Sequence, residues 1–312
     1  MRVVFLGFHT WGTVALESII KAGHKVPLVI THPETATEYD SIWNDSVAEL
    51  CQKYGIYFLE YFRLNNQDVV NTIRDADPDI IISCNWRTYL SPEILKIPKY
   101  KSLNIHEALL PKYGGFAPIS WAIINGETET GVTIHFMDED IDVGDIVLQE
   151  KVKIDLEDTA TDIYYKTLPF FADLPVKALD LIEKNRVIPK PQERSELTFF
   201  HKRYERDNLI DWEKSGTDIY NLIRAQSDPY PNAYTYYRGQ KLKIKSASLP
   251  DICYCGTPGR IFCRLPSGVV VVGGQVAKGA NQGIVIHHVQ EEGGEIREAN
   301  AYFEKLGDYL GE

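Results

Sequence analysis

An asparagine, a histidine and a carboxylate can together stabilise an oxyanion and move a proton, and this chain offers all three in two short stretches. Asn104-Ile105-His106 closes an apolar run that begins at Ser102. Side chains two apart on a strand point to the same face, so Asn104 and His106 can converge on one reacting atom. An imidazole moves protons near neutral pH. An amide N–H stabilises a developing oxyanion without titrating itself. Taken alone, Asn-x-His is more plainly a strand-end cap than a catalytic pair.

The second stretch is Asp138-Glu139-Asp140-Ile141-Asp142-Val143-Gly144-Asp145, which follows the apolar run Val132 to Met137. It reads as a solvated loop or as a divalent-metal site, although the EF-hand spacing does not fit. A carboxylate beside His106 would hold its tautomer and stabilise the imidazolium. Spacing alone does not bring the two stretches together.

The elements that must position these residues alternate. Val3 to Leu6, Val26 to Thr31, Ile56 to Phe58, Asp79 to Ser83, Ser102 to His106 and Thr130 to Met137 read as strands. Thr13 to Ala22, Ser46 to Tyr54, Gln67 to Asp75, Pro118 to Asn125 and Thr159 to Glu183 read as helices. This alternation predicts an α/β fold with a doubly wound, mostly parallel sheet, whose ligands sit beyond the carboxyl ends of the strands. Gly7 and Gly12 lie at the first strand-to-helix turn, but they do not make the dinucleotide fingerprint. A tight turn with close helix packing explains them as well as anion binding does. Beyond residue 200 a helix over Gly216 to Ala225 is followed by short strands at Tyr234 to Tyr237, Lys241 to Lys245, Gly259 to Arg264, Val269 to Gly273 and Gly283 to Val289. Their close spacing predicts a small C-terminal β-barrel of the OB kind. The expected domains are 1–203 and 204–312.

Composition narrows the partners. The 312 residues carry 33 Lys+Arg against 44 Asp+Glu, a formal charge of -11. A nucleic-acid partner usually demands a basic face, so the balance favours a small substrate. The apolar run at the N-terminus breaks at Gly7, too short for a signal peptide or a membrane span. An odd count of 5 cysteines without a leader reads as reduced thiols in the cytoplasm. Cys253-Tyr-Cys255 lacks a second ligand pair at zinc spacing and reads as ordinary thiols.

One longer pattern goes further. Asn104-Ile105-His106 is followed by Leu109-Leu110-Pro111-Lys112-Tyr113, Gly115, Ala117-Pro118 and Trp121-Ala122. Then come Asn125-Gly126-Glu127-Thr128-Glu129-Thr130-Gly131-Val132-Thr133-Ile134-His135 and Asp142-Val143-Gly144-Asp145-Ile146. In order, spacing and identity this resembles the signature of the folate-dependent formyltransferases, which include methionyl-tRNA formyltransferase and the sugar-amine formyltransferases. Ile210-Asp211-Trp212, Leu222-Ile223-Arg224-Ala225 and Pro229-Tyr230-Pro231 resemble the start of that family's C-terminal barrel. The resemblance implies Asn104, His106 and Asp142 as catalytic residues and N10-formyltetrahydrofolate as the formyl donor, with no metal. It also implies a pterin held between Thr88-Tyr89-Leu90 and the acidic loop Asp138, Glu139, Asp140, Ile141 and Asp142.

The departures from the pattern concern the acceptor. Glu107-Ala108 stands where the family usually has a small pair, and Gly114 and Phe116 replace common arginines. Glu107, Gly114 and Phe116 are therefore the expected acceptor contacts. The tRNA-directed enzymes carry a basic loop after the second strand. Here residues 31–40 hold three acids and no Lys or Arg. This loop resembles that of the amino-sugar-nucleotide formyltransferases, such as the formyltransferase domain of the lipid A aminoarabinose pathway. The expected acceptor is a primary amine on a nucleotide-linked amino sugar. Methionyl-tRNA or another small amine is the alternative, and an inactive homologue serving as a binding module is a remote one. The sequence leaves the oligomeric state open, a homo-oligomer included.

Overall fold

The structure is a computed structural model that describes residues 1–33, 43–64, 66–274 and 282–311. Two compact units divide the chain. The first comprises Met1–Pro118, Glu129–Lys153 and Tyr164–His201; the second comprises Ile119–Thr128, Ile154–Ile163 and Lys202–Glu312.

In chain order the first part runs β1 (Arg2–Gly7), α1 (His9–Lys21), β2 (Lys25–Thr31), α2 (Val47–Tyr54), β3 (Phe58–Glu60), α3 (Gln67–Asp75), β4 (Ile80–Cys84), α4 (Pro92–Leu95) and β5 (Ser102–His106). It continues through β6 (Gly114–Gly115), α5 (Pro118–Ile124), β7 (Glu129–Phe136), β8 (Ile146–Lys153), α6 (Ala160–Glu183) and β9 (Phe199–Phe200). Local chemistry fixes the helix ends. The Ser46 side chain accepts from Glu49 N–H at the start of α2, and Gly55 closes that helix at φ 65. Asn66 caps α3 by accepting from Asp68 N–H.

The seven-stranded sheet has the order β3-β2-β1-β4-β5-β7-β8. Pairing is parallel from β3 to β5 and antiparallel from β5 through β7 to β8. This is the doubly wound, mostly parallel sheet expected. Val3 and Phe5 pack with α1, α2 and α6 residues, whereas Val4 and Leu6 pack with α3 and α4 residues. Alternate side chains of one buried strand thus feed two cores. Strand order reverses between β1 and β4, which makes the carboxyl ends of β1, β4 and β5 the ligand crevice of such a sheet.

The second part contains α7 (Gly216–Ala225), β10 (Ala233–Tyr237), β11 (Gln240–Ser248), β12 (Ile261–Leu265), β13 (Gly268–Val272), β14 (Gly283–Glu291), β15 (Ile296–Glu298) and α8 (Ala299–Tyr302). The strands form an antiparallel sheet of order β10-β11-β14-β13-β12, with β15 on β14. Its core gathers Trp212, Ile219, Ile223, Leu242, Ile244, Val269, Val271, Ile284 and Phe303. Buried Trp212 donates Nε1–H to Thr235 Oγ1 at 2.9 Å. Arg224 of α7 is 6% exposed and donates to the carbonyls of Asp155 and Asp158 at 3.2 and 2.7 Å and to Asn221 Oδ1 at 3.0 Å.

Several elements depart from the sequence reading. α1 begins at His9 rather than Thr13, with His9 at φ 54 and no side-chain cap. β3 lies two residues later than expected. β8 carries Gln149, Glu150, Lys151 and Lys153, polar residues that hide its strand character. α6 runs 24 residues through Pro169 and Pro175 because Phe171, Leu174, Ala178, Leu179 and Ile182 bury its inner face. Among the described residues no helix is long and apolar enough to cross a membrane. Among them also, no group of three His, Cys, Asp or Glu is placed to hold a metal ion. Exposed Cys253 and Cys255 lie with their Sγ atoms 3.5 Å apart.

Candidate active site

Asp142 is the centre on which the polar residues of this crevice converge. It sits in the turn between β7 and β8 at φ 55, a left-handed conformation that costs a non-glycine residue free energy. Gly144 makes the turn possible. A Cβ there would lie 1.8 Å from the carbonyl oxygen of Phe136. The turn aims the Asp142 carboxylate back at β5 and at the loop after it. Asn104 Nδ2 donates to Oδ1 at 3.3 Å, and Gly115 N–H donates to Oδ2 at 2.9 Å. His106 Nδ1 stands 3.7 Å from Oδ2 and His135 Nε2 stands 3.4 Å from Oδ1. Asn104, His106 and Asp142, drawn from two separate stretches of sequence, therefore share one buried cluster.

Each ring has a defined second partner. His106 Nε2 is 2.9 Å from the carbonyl of Tyr113, which can only accept, so that nitrogen carries a proton. His135 Nδ1 is 2.8 Å from the carbonyl of Phe136, so it too is protonated there. Burial disfavours the His106 cation, yet Asp142, Glu107 and the Tyr113 carbonyl outweigh it and raise the imidazole above its ordinary value. Burial also works against the Asp142 charge. His106, His135 and the Gly115 N–H overcome it and hold that carboxyl well below the usual carboxylate range. The two charges of the pair favour each other, the carboxylate the cation and the cation the carboxylate. Asn104 Nδ2 has two protons; Asp142 takes one, and the other is left for His135 Nε2, 3.3 Å away, or for an incoming oxyanion. Such a cluster can stabilise negative charge on a carbonyl oxygen and protonate a leaving nitrogen.

His135 was not among the residues singled out from sequence. Its signal was present: Thr133 and His135 are polar residues on one face of an apolar strand, and the β5–β7 register sets Asn104 against His135 and His106 against Thr133. Thr133 Oγ1 donates to the Ala108 carbonyl at 2.6 Å and ties down the loop after β5.

The other expected site residues are placed as follows. Glu107 is half-buried beside His106. Leu90 is buried in the apolar cluster that Trp86 and Met137 also join, so the loop after β4 and the start of the acidic loop pack on common ground. Among the described residues the buried Thr88 Oγ1 has no hydrogen-bond partner, and Tyr89 is exposed. Asp138, Glu139, Asp140 and Ile141 are exposed. Gly114 is not open space. A Cβ there would meet the Phe199 ring at 2.9 Å, because β6 pairs with β9. The room left by the absent side chain is filled by Phe199, whereas Phe116 is exposed. Of the loop at residues 31–40, residues 34–40 lie outside the described set. His32 in its first part is stacked on Trp86 at 4.0 Å and donates Nδ1–H to the Tyr61 carbonyl. Burial lowers its pKa to about 4, aided by the Arg87 and His9 charges, so it adds no positive charge at neutral pH.

Residues 1–178 match the family model described as formyl transferase, and residues 203–307 match that of the formyl transferase C-terminal domain. The chain belongs to the formyl transferase family. A methionyl-tRNA formyltransferase of Alkaliphilus oremlandii is 33% identical over 88% of this chain and 89% of its own length. A bifunctional polymyxin resistance protein ArnA of Wigglesworthia glossinidia brevipalpis is 39% identical over 84% of this chain, but the match spans only 40% of that longer protein. An N-formyltransferase of Helicobacter canadensis, solved with folinic acid and dTDP-3-aminofucose, shares the fold. It does so at a TM-score of 0.68 and 22% identity, over 94% of this chain and 100% of that one. The formyltransferase is thus a relative of a methionyl-tRNA formyltransferase and shares its fold with an N-formyltransferase solved with a dTDP-sugar.

Proposed function

We propose that this formyltransferase moves the formyl group of N10-formyltetrahydrofolate to a primary amine on a nucleotide-linked amino sugar, with Asn104, His106 and Asp142 as its catalytic residues. The buried Asn104–His106–Asp142 cluster carries the chemical part of the reading. The amine nitrogen attacks the formyl carbon, and the carbonyl oxygen gains charge. Asn104 and His106 hold that oxygen; one such donor is worth about 2.7–4 kcal/mol. As the bond to the folate nitrogen breaks, His106 supplies a proton to it, and Asp142 keeps the ring charged and oriented.

The pterin lies between Thr88-Tyr89-Leu90 and the loop from Asp138 to Asp142. The unpartnered Thr88 hydroxyl and the apolar ground under Leu90 and Met137 support that placement. The acceptor enters beside Glu107 and Phe116, with the Gly114 backbone behind them. Exposed rings at Phe116 and Phe199 offer apolar faces to a nucleobase where arginines would have offered charge. The net charge of -11 and the acidic 31–40 loop weigh against a tRNA partner. The second reading, methionyl-tRNA as acceptor, rests on the relative of Alkaliphilus oremlandii.

A competition separates them. Methionyl-tRNA and thymidine- and uridine-diphosphate amino sugars are offered together with one folate donor, and products are read by mass spectrometry. Formylated sugar with untouched tRNA is expected. Formylation of the tRNA alone would overturn the acceptor and leave the chemistry standing.

A further inference from the structure

The β7–β8 turn holds Asp142 in a left-handed conformation, and a strained turn keeps its shape only where its surroundings enforce it. Its backbone carbonyls show what does so here. Gln192 donates from Nε2 to the carbonyl of Asp142 at 2.9 Å and to that of Gly144 at 2.7 Å. Two accepting carbonyls take both protons of one amide nitrogen, and this fixes which end of the amide faces the turn. Among the described residues no backbone N–H donates to either carbonyl. The other end of the amide is less well served. Gln192 Oε1 is buried and, among the described residues, has no hydrogen-bond partner. A buried acceptor left unmatched is unfavourable, so the amide is oriented for the turn and against its own oxygen.

A residue that positions another must itself be fixed, and the segment carrying Gln192 is fixed on both sides of it. Ile146, the first residue of β8, and Lys190 exchange two hydrogen bonds of 2.8 Å in an antiparallel bridge. Two residues back on one chain and two onward on the other, that register sets Gln192 opposite Gly144. Farther on, Thr198 N–H donates to the Pro111 carbonyl at 3.2 Å, and the Thr198 carbonyl accepts from Gly114 N–H at 2.9 Å. Its Oγ1 accepts from Tyr113 N–H at 3.0 Å. Tyr113 is the residue whose carbonyl faces His106 Nε2. Residues 190–198 therefore grip both neighbours of the His106 ring, Tyr113 through Thr198 and Asp142 through Gln192.

We propose that Gln192 is a positioning residue for formyl transfer: its amide holds the β7–β8 turn in the shape that keeps the Asp142 carboxylate against His106 and Asn104. This rests on the reading of Asn104, His106 and Asp142 as the catalytic set. Gln192 acts through the Asp142 backbone, and the carboxylate follows. Without the amide, the turn relaxes toward an ordinary right-handed or extended backbone, and the carboxylate leaves its place 3.7 Å from His106 Nδ1.

Gln192→Met keeps the length of the side chain and removes both donors, and folate-donor binding followed by tryptophan fluorescence shows that the variant is folded. With saturating substrates kcat should fall roughly 10–10²-fold, while the KM of each substrate stays within a few-fold of wild type. The His106 ring titration, read by NMR without any substrate, should shift to lower pH. Asp142 and Glu107 both raise that ring, and in the variant Asp142 has moved away. In an Asp142→Asn background the same Gln192→Met change should slow turnover by no more than a few-fold, because the group it positions is already gone. A wild-type kcat, an unmoved His106 midpoint, or an equal fold-loss in both backgrounds would each overturn the proposal. If Gln192→Met does not fold, Gln192→Asn retains the amide one carbon short of the turn and is held to the same three outcomes. Full activity of Asp142→Asn would overturn the catalytic reading, and the His106 midpoint in the Gln192 variant still decides whether the amide holds the carboxylate in place.

Discussion

Asp142 and Arg224 are both charged side chains withdrawn from water, and they are stabilised in opposite ways. Arg224 spends its donors on the carbonyls of Asp155 and Asp158 and on Asn221, groups that cannot titrate near neutral pH. Asp142 is surrounded by two imidazoles, an amide and one backbone N–H. Carbonyl partners fix a charge in place. Titratable partners let a proton move when an oxyanion or an amine arrives. The backbone agrees: Asp142, Tyr113 and Ala117 around the cluster all have positive φ, at 55, 63 and 50°. Such strain gathers at functional sites and persists only where the surroundings enforce it.

The comparison can be broken by mutation. The largest effect is expected from His106→Asn, which should cut turnover about 10²–10⁴-fold with folate affinity within a few-fold of wild type. Near-normal turnover under saturating substrates would remove His106 from the chemistry.

Asp142→Asn comes next, with a slower rate and a displaced pH profile. The neighbouring carboxylate raises His106, so the stability it contributes is fully present below about 6.5 and is lost as pH rises through the raised folded value. Without Asp142 that loss should occur at lower pH, and urea unfolding across the neutral range measures it. The depressed Asp142 carboxyl contributes stability above its ordinary value of about 3.9, lost as pH falls through the folded one. Identical profiles in the two proteins would dissolve the contrast with Arg224.

Arg224→Ala should behave in the converse way. It strands two carbonyls and Asn221, which costs about 2–4 kcal/mol of stability. Donor binding by the remaining folded protein should be unchanged. Glu17 marks the lower end. It holds Lys21, Lys53 and Tyr54 at an exposed surface, and their hydrogen bonds, the one from Lys21 first, lower its pKa to about 2. Glu17→Gln should cost less than about 1 kcal/mol, and less still in high salt. A larger cost would mean that solvent screens this cluster poorly.

The site was legible in the sequence to an uneven degree. Asn104 and His106 could be paired because a strand puts alternate residues on one face. Asp142 could be reached only through the resemblance, since Asp138 and Asp140 look the same on paper. What distinguishes it is the turn at φ 55 and the close approach at Gly144, which spacing does not express. His135 was hidden because a histidine on an apolar strand is ordinarily a core residue, and only the β5–β7 register sets it against Asn104. The expectation at Gly114 came from a missing arginine, and Phe199, more than eighty residues on, occupies the space a side chain there would take. The parallel strands read well because both their faces are apolar. β8 read poorly because its exposed face carries charges, and the start of α1 did so because Phe8 offers no side-chain cap.

The interleaved units carry a consequence for how the chain is made. Ile119–Thr128 belongs to a unit whose main body begins at Lys202, roughly 70 residues later. A ribosome adding about 5–20 residues per second needs several seconds to cover that distance. Through that interval Ile119, Ala122 and Ile123, all buried in the finished protein, wait without their own unit. The strand that follows them, β7, has its neighbour β5 already synthesised. The sheet that carries His106 and His135 can therefore assemble while the segment just before β7 is still uncovered. A chain at that point of synthesis with β5 and β7 paired carries an uncovered apolar segment between them, an opening for chaperones.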